Sequence, residues 1–260
     1  MDNDTHDSLA FLAESRPSRR ALLKGAGIFG AGLTLAQLGL SRPAAAAATK
    51  TEKVQDILDI LATNEAFGVT LVGTVLDSAK HGTFSTPIPD MVLKILTGVR
   101  AEEQFHLDFL QGAGAKLLTD TFHIPEAKML TDPKSLFKDL VDLEDAAIAA
   151  VMASLPTFAR ERRIDLLKAN FQFATEEAEH RLLANHALGT RPANDHAFAP
   201  TMFTSVAEFL ALLKKKGIIG GSGMTITYPG PGEPVDPTGV IYHTPGGPLV
   251  NCLPTGTPSA

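Results

Sequence analysis

Residues 99–110 read Val-Arg-Ala-Glu-Glu-Gln-Phe-His-Leu-Asp-Phe-Leu, and residues 173–184 read Phe-Ala-Thr-Glu-Glu-Ala-Glu-His-Arg-Leu-Leu-Ala. Both contain Glu-x-x-His, at Glu103/His106 and at Glu177/His180. Three residues of α-helix turn through about 300°, so each Glu and its His project from nearly one face, one turn apart. Four and seven residues from Glu103 stand Val99, Leu107, Leu96 and Leu110, so its stripe is apolar and faces a core. The stripe of Glu177 holds Phe173 and Ala184 but also Asn170 and Arg181.

Two further segments each place one Glu in the same setting. Glu65 is flanked at four and seven residues by Leu61, Val69, Leu58 and Val72, and Glu144 by Leu140, Ile148, Phe137 and Val151. From Thr51 to Gly189 the apolar residues recur at three and four, which predicts four helices. The first runs from about Thr51 to Lys80, and the second from about Asp90, after Pro87-Ile88-Pro89, to Gly112. Asp132-Pro133 opens the third as N-cap and first helical residue, and Pro156 is expected to end it near Leu155. The fourth runs from about Arg160 to Leu188 and stops at Gly189. The connections are short, long (about Ala113 to Thr131) and tight, in that order. One long crossover suits an all-α four-helix bundle of the ferritin-like kind.

The charge balance of such a core is its decisive feature. Moving an isolated carboxylate out of water costs several kcal/mol even after relaxation. Arg181 could offset Glu177, but no Lys or Arg stands at those spacings beside Glu65, Glu103 or Glu144. Two divalent cations would supply the missing positive charge, with two neutral imidazoles completing their coordination. Glu102, Glu176 and Glu179 are rotated away from the neighbouring ligands and are expected to face solvent. His186 reads as a surface group, and His81, His123, His196 and His243 show no partner pattern. Lys214-Lys215-Lys216 reads as a solvated helix end, favourably placed against the helix dipole.

The order Glu, Glu-x-x-His, Glu, Glu-x-x-His resembles the di-metal ferritin-like superfamily, which includes rubrerythrins and bacterioferritins. Residues 57–65 and 103–110 look most like its exported branch, to which the plant desiccation-related proteins belong. The resemblance covers about residues 51–189 and carries the metal-ligand pattern onto Glu65, Glu103, His106, Glu144, Glu177 and His180. It implies that Glu103 and Glu177 bridge two metals and that each His caps one. Such ligation suits two iron ions or two manganese ions better than copper, and zinc is also compatible. With iron the implied chemistry is two-electron reaction with O2 or peroxide; with manganese it is disproportionation of hydrogen peroxide. A tyrosyl-radical role is not expected, since Tyr228 and Tyr242 both lie outside the four helices. The cysteine-ligated iron domain of a complete rubrerythrin has no counterpart around the lone Cys252.

Residues 1–48 read as an address. Ser18-Arg19-Arg20-Ala21-Leu22-Leu23-Lys24 precedes a glycine-spaced apolar stretch and an alanine run, and resembles the twin-arginine signal peptide. Lys24 and five glycines make Ala21–Leu40 a poor membrane span. Cleavage is expected after Ala46 to Ala48, with the twin-arginine export machinery as a partner and a periplasmic or extracytoplasmic destination. The formal charge is −6 for the 260 residues and −7 without the first 48, which argues against nucleic acid as a partner. The bundle is then expected over 49–189, with a short helix (206–216) and an extended arm over 190–260. Ten Gly and eight Pro in the last 44 residues preclude long helices there, and strands are expected at Met224–Tyr228 and Val240–His243. A homo-oligomer is open, whereas the signal and the tail disfavour a mineral-storing cage. A non-catalytic bundle stapled by its metals, with the arm as an assembly module, stands beside the redox reading.

Overall fold

The computed structural model describes residues 52–190 and 199–230, and within them the chain is mostly helical. Four long helices, α1 (Val54–Lys80), α2 (Asp90–Gly112), α3 (Pro133–Arg160) and α4 (Ile164–Ala187), are followed by a short α5 (Val206–Lys215). α1 packs along α2 and α3 along α4, and the two hairpins meet through α1 with α3 and α2 with α4. The apolar rows meet between them, with Ile57, Leu61 and Val72 of α1, Leu96 and Leu107 of α2, Phe137 and Val151 of α3, and Leu166 and Phe173 of α4 all buried. Ile95 is 37% exposed, because α2 turns its Val92–Leu96–Val99 row to the core. The cap at α3 forms as expected, with the Asp132 carboxylate accepting from the amides of Lys134 and Ser135.

Pro156 does not end α3. It lies inside the helix, one turn from its end. A proline there removes one backbone hydrogen bond, but the next turn carries Phe158, which is wholly buried. The helix ends instead where Arg162 takes a left-handed conformation (φ 55°) and the Arg163 amide donates back to the Phe158 carbonyl at 2.8 Å.

The crossover between α2 and α3 is more ordered than a plain connection. It contains strand β1 (Thr121–Ile124) and a 3-10 turn at Ala127–Leu130. β1 pairs antiparallel with β2 (Met224–Thr227), in the register Thr121↔Thr227 to Ile124↔Met224. The expected strand at 224–228 therefore forms, but its partner comes from the crossover; Val240–His243 lies outside the described residues. The turn before β2 uses Gly223 at φ 133°, where a Cβ would stand 2.4 Å from the Ile124 carbonyl oxygen. Residues 1–51, with the twin-arginine pattern, and 191–198, with His196, also lie outside the described residues.

Polar residues on α1 fix the crossover. Gln55, Asp59 and Thr63 recur every four residues and so share one face. The Gln55 amide donates to the Gly114 carbonyl (2.9 Å), Asp59 Oδ1 accepts from the Lys116 amide (2.7 Å), and Thr63 Oγ1 accepts from the Leu118 amide (2.9 Å). Helix α5 is tied to the same end: Glu52 accepts from the amides of Val206 (3.0 Å) and Ala207 (2.7 Å), an N-cap supplied from 154 residues away. Val206, Phe209 and Leu213 then bury its apolar face. Glu52→Ala is expected to lower the unfolding free energy by about 1 kcal/mol, as loss of a helix cap does. Urea unfolding measures this, and a change within about 0.5 kcal/mol, the range of an ordinary surface substitution, contradicts the tie.

Candidate metal centre

The four long helices bring together the six residues singled out by the spacing. Glu65 comes from α1, Glu103 and His106 from α2, Glu144 from α3, and Glu177 and His180 from α4. All six are buried, none more than 9% exposed. They form two overlapping groups, Glu65/Glu103/His106/Glu177 and Glu103/Glu144/Glu177/His180, each with its ligand atoms within 4.8 Å of one another. Glu103 and Glu177 belong to both. Each group could hold a metal ion.

Both imidazoles turn Nδ1 toward the carboxylates. His106 Nδ1 lies 3.2 Å from Glu65 Oε2 and 3.5 Å from Glu177 Oε1. His180 Nδ1 lies 3.2 Å from Glu177 Oε2, 3.3 Å from Glu103 Oε1 and 3.9 Å from Glu144 Oε1. Glu177 thus lies between the two rings, one oxygen toward each. The ring of His106 is packed against Phe173, with centroids 4.2 Å apart, and Phe173 meets Phe109 edge-on.

Glu102 and Glu176 do not simply face solvent. Glu176 Oε2 lies 2.5 Å from His106 Nε2, and Glu102 Oε2 lies 2.9 Å from His180 Nε2, with side chains only 25% and 27% exposed. A turn of about 100° from a neighbouring ligand carries each one toward the opposite helix, not into water. The pairing is reciprocal: the Glu before the motif on α2 backs the His on α4, and the reverse. A carboxylate that accepts the Nε2 proton fixes the ring with Nδ1 inward, where it donates to the carboxylates when protonated and would offer its lone pair to a metal once deprotonated. The signal in the sequence is the doubled Glu that opens both motifs. Glu179 and His186 are exposed, as expected.

Arg181, the counter-charge offered to Glu177 by the spacing, is paired with Asp145 on α3. No other Lys or Arg is buried among the described residues. Burial first, and then the neighbouring Glu177, raises the pKa values of Glu103 and Glu144 well above the usual range. Glu65 is raised more modestly, by burial against the opposing bond to His106. Burial opposes charge on both imidazoles, yet their bonds to carboxylates outweigh it and push their pKa values up. Glu177 moves the other way: burial would raise it, but the hydrogen bonds from both histidines hold it far below the carboxylate range.

The donor set fits a divalent metal on its chemistry, with oxygens from four carboxylates and two imidazole nitrogens converging. The space fits as well. Gly68 on α1 leaves the Glu103 carboxylate a cradle that a Cβ would fill, at 2.2 Å from Oε2. No family model, curated protein or solved structure matches the chain. The site is therefore read from its own geometry.

The shifts set the pH behaviour of the protein stripped of metal. For Glu65, Glu103 and Glu144 the folded state holds protons that the unfolded chain releases near pH 4.5, so stability falls as pH rises above that value. For His106 and His180 the contribution is complete below 6.5 and is lost as pH rises through their raised folded values. Glu177 acts oppositely, but its contribution is already complete above pH 4.5. Chelator-treated protein is expected to melt at progressively lower temperature from about pH 5 to 8. With divalent metal present the trend reverses, because metal needs deprotonated ligands. Thermal melts across that range check it; a metal-free melting temperature that climbs with pH contradicts it.

Proposed function

We propose that the chain is an exported ferritin-like four-helix bundle whose core holds a di-iron or di-manganese centre that reacts with O2 or hydrogen peroxide. The observation that carries this reading is the pair of overlapping ligand groups with Glu103 and Glu177 in common. Two groups that share two carboxylates support a pair of ions held side by side. Glu65 and His106 would hold one metal, Glu144 and His180 the other, and Glu103 and Glu177 both. A redox metal pair supplies two-electron exchange with O2 or peroxide, whereas a redox-silent pair supplies only charge and cross-linking.

The chain's own residues then have three tasks. Glu102 and Glu176 hold the imidazoles in the tautomer that presents Nδ1 inward. Phe173 covers His106 and keeps water from it. Space beside the centre is small: a void of about 10 Å³ touches Glu144 and His180 and is lined by Val72, Leu96, Val99, Phe137, Leu140 and Leu183. That is room for about one water molecule, so a larger reactant would need the apolar side chains around it to move.

The same closeness favours a second reading, a bundle stapled by its metals without turnover, whose C-terminal segment is tied to the crossover through β1 and β2. The twin-arginine pattern of residues 18–24 supports export and, with it, a chain loaded before it leaves the cytoplasm. Mature protein reconstituted anaerobically with Fe(II) or Mn(II) is expected to hold about two metal ions per chain by elemental mass spectrometry. Glu103→Ala combined with His180→Ala is expected to lose them. Oxygen-electrode and peroxide assays separate the readings: consumption supports the redox centre, and loaded protein that consumes neither supports the staple. A wild-type chain that takes up no metal contradicts both.

A further inference from the structure

On α1 and α3 the inward Glu is followed three residues later by a small residue, Gly68 after Glu65 and Ala147 after Glu144, where α2 and α4 carry histidine. These small residues occupy the same place in the turn as the two imidazoles. At Gly68 the neighbour is the Glu103 carboxylate. A Cβ there would lie 2.2 Å from Oε2, 2.7 Å from Cδ and 3.3 Å from Cγ. Ordinary contact begins near 3.4 Å, so the carboxylate would have to withdraw by about 1.2 Å.

That withdrawal matters because of where the two oxygens point. Glu103 Oε1 faces His180, at 3.3 Å from Nδ1. Oε2 lies against α1 at Gly68, on the helix that carries Glu65. Glu103 belongs to both ligand groups, and its carboxylate is seated against α1 at Gly68. Glycine is a poor helix former, and Gly68 stands in the middle of a 27-residue helix. Gly73, five residues on, faces α2 as well, but a Cβ there would meet the flexible Arg100 side chain at 3.0 Å.

We propose that Gly68 is a positioning residue for the metal centre: its missing side chain lets Glu103 span both ligand groups, and so makes the site a two-metal site. The inference rests on the metal reading above. Any side chain at 68 pushes Oε2 back toward α2. The Glu65/His106 side then loses a ligand while the Glu144/His180 side keeps Oε1.

The test is titration of metal-free mature protein with Mn(II), followed by calorimetry and electron paramagnetic resonance. Wild type is expected to take up about two ions per chain. Gly68→Ala is expected to weaken one of the two sites by about tenfold or more, the scale of a displaced ligand, and to lose the signal of a coupled pair. Metal-free Gly68→Ala is expected to melt no lower than wild type, since alanine is the better helix former. Gly73→Ala makes the same helix change away from the ligands and is expected to bind as wild type does. Glu103→Asp shortens the side chain by about 1.5 Å, enough to clear the new methyl group. In that background Gly68→Ala is expected to add less than about threefold to the loss. Three results would overturn the proposal: a Gly68→Ala chain that binds like wild type or fails to fold, a Gly73→Ala chain with the same loss, or an equal loss beside Asp at 103. A wild-type chain that takes up no Mn(II) sinks the metal reading, and this inference with it.

Discussion

Four carboxylates share the middle of a helical core that has, among the described residues, one buried cationic side chain, Arg181. Glu65, Glu103, Glu144 and Glu177 are each at least nine-tenths buried, and the one buried guanidinium, Arg181, is paired with Asp145. Protons on the carboxyls and imidazoles can relieve part of the repulsion, which is why the pKa values of most of these groups are driven upward. A core assembled for stability alone would place leucine at these positions, because replacing buried charges with apolar groups is often stabilising. Carboxylates that remain there answer to something other than packing.

The architecture around them is built to hold six side chains in register. Each hairpin supplies one helix with a single Glu and one with Glu-x-x-His, so the two halves contribute equal sets. Around that set the carboxylates of Glu102 and Glu176 cross from one half to the other and lock the rings. Farther out, the Gln55/Asp59/Thr63 row, the β1–β2 pair and the Glu52 cap clamp the crossover and α5 to one end of α1. Rigid second-layer contacts are what a precise ligand geometry requires.

Much of this was legible in the residue spacing. A Glu on an apolar row four and seven residues long is unambiguous at Glu65, Glu103 and Glu144, and the four helices follow from the same rows. What escaped has physical reasons. Periodicity reports where a side chain points on its own helix but not what the next helix puts in front of it, so Glu102 and Glu176 read as solvent-facing. Pro156 reads as a breaker because its effect on the backbone is local, whereas the burial of Phe158 that carries the helix past it is tertiary. The strand Thr-Phe-His-Ile at 121–124 is too short and too mixed to stand out, and its partner lies 100 residues away at the near end of the pair. Gly68 looks like an ordinary weak spot in a helix until the Glu103 oxygen is seen above it.

Cations between the shared carboxylates, on the proposed reading, make this core tolerable. The most direct test is a crystal structure of Mn(II)-loaded or Fe(II)-loaded mature protein with anomalous difference maps recorded on both sides of the metal absorption edge. Two peaks are expected, about 3.5–4 Å apart, each bounded by one His and one unshared Glu, with Glu103 and Glu177 between them. Maps without a peak among these six residues, from crystals grown in excess metal, would contradict that reading.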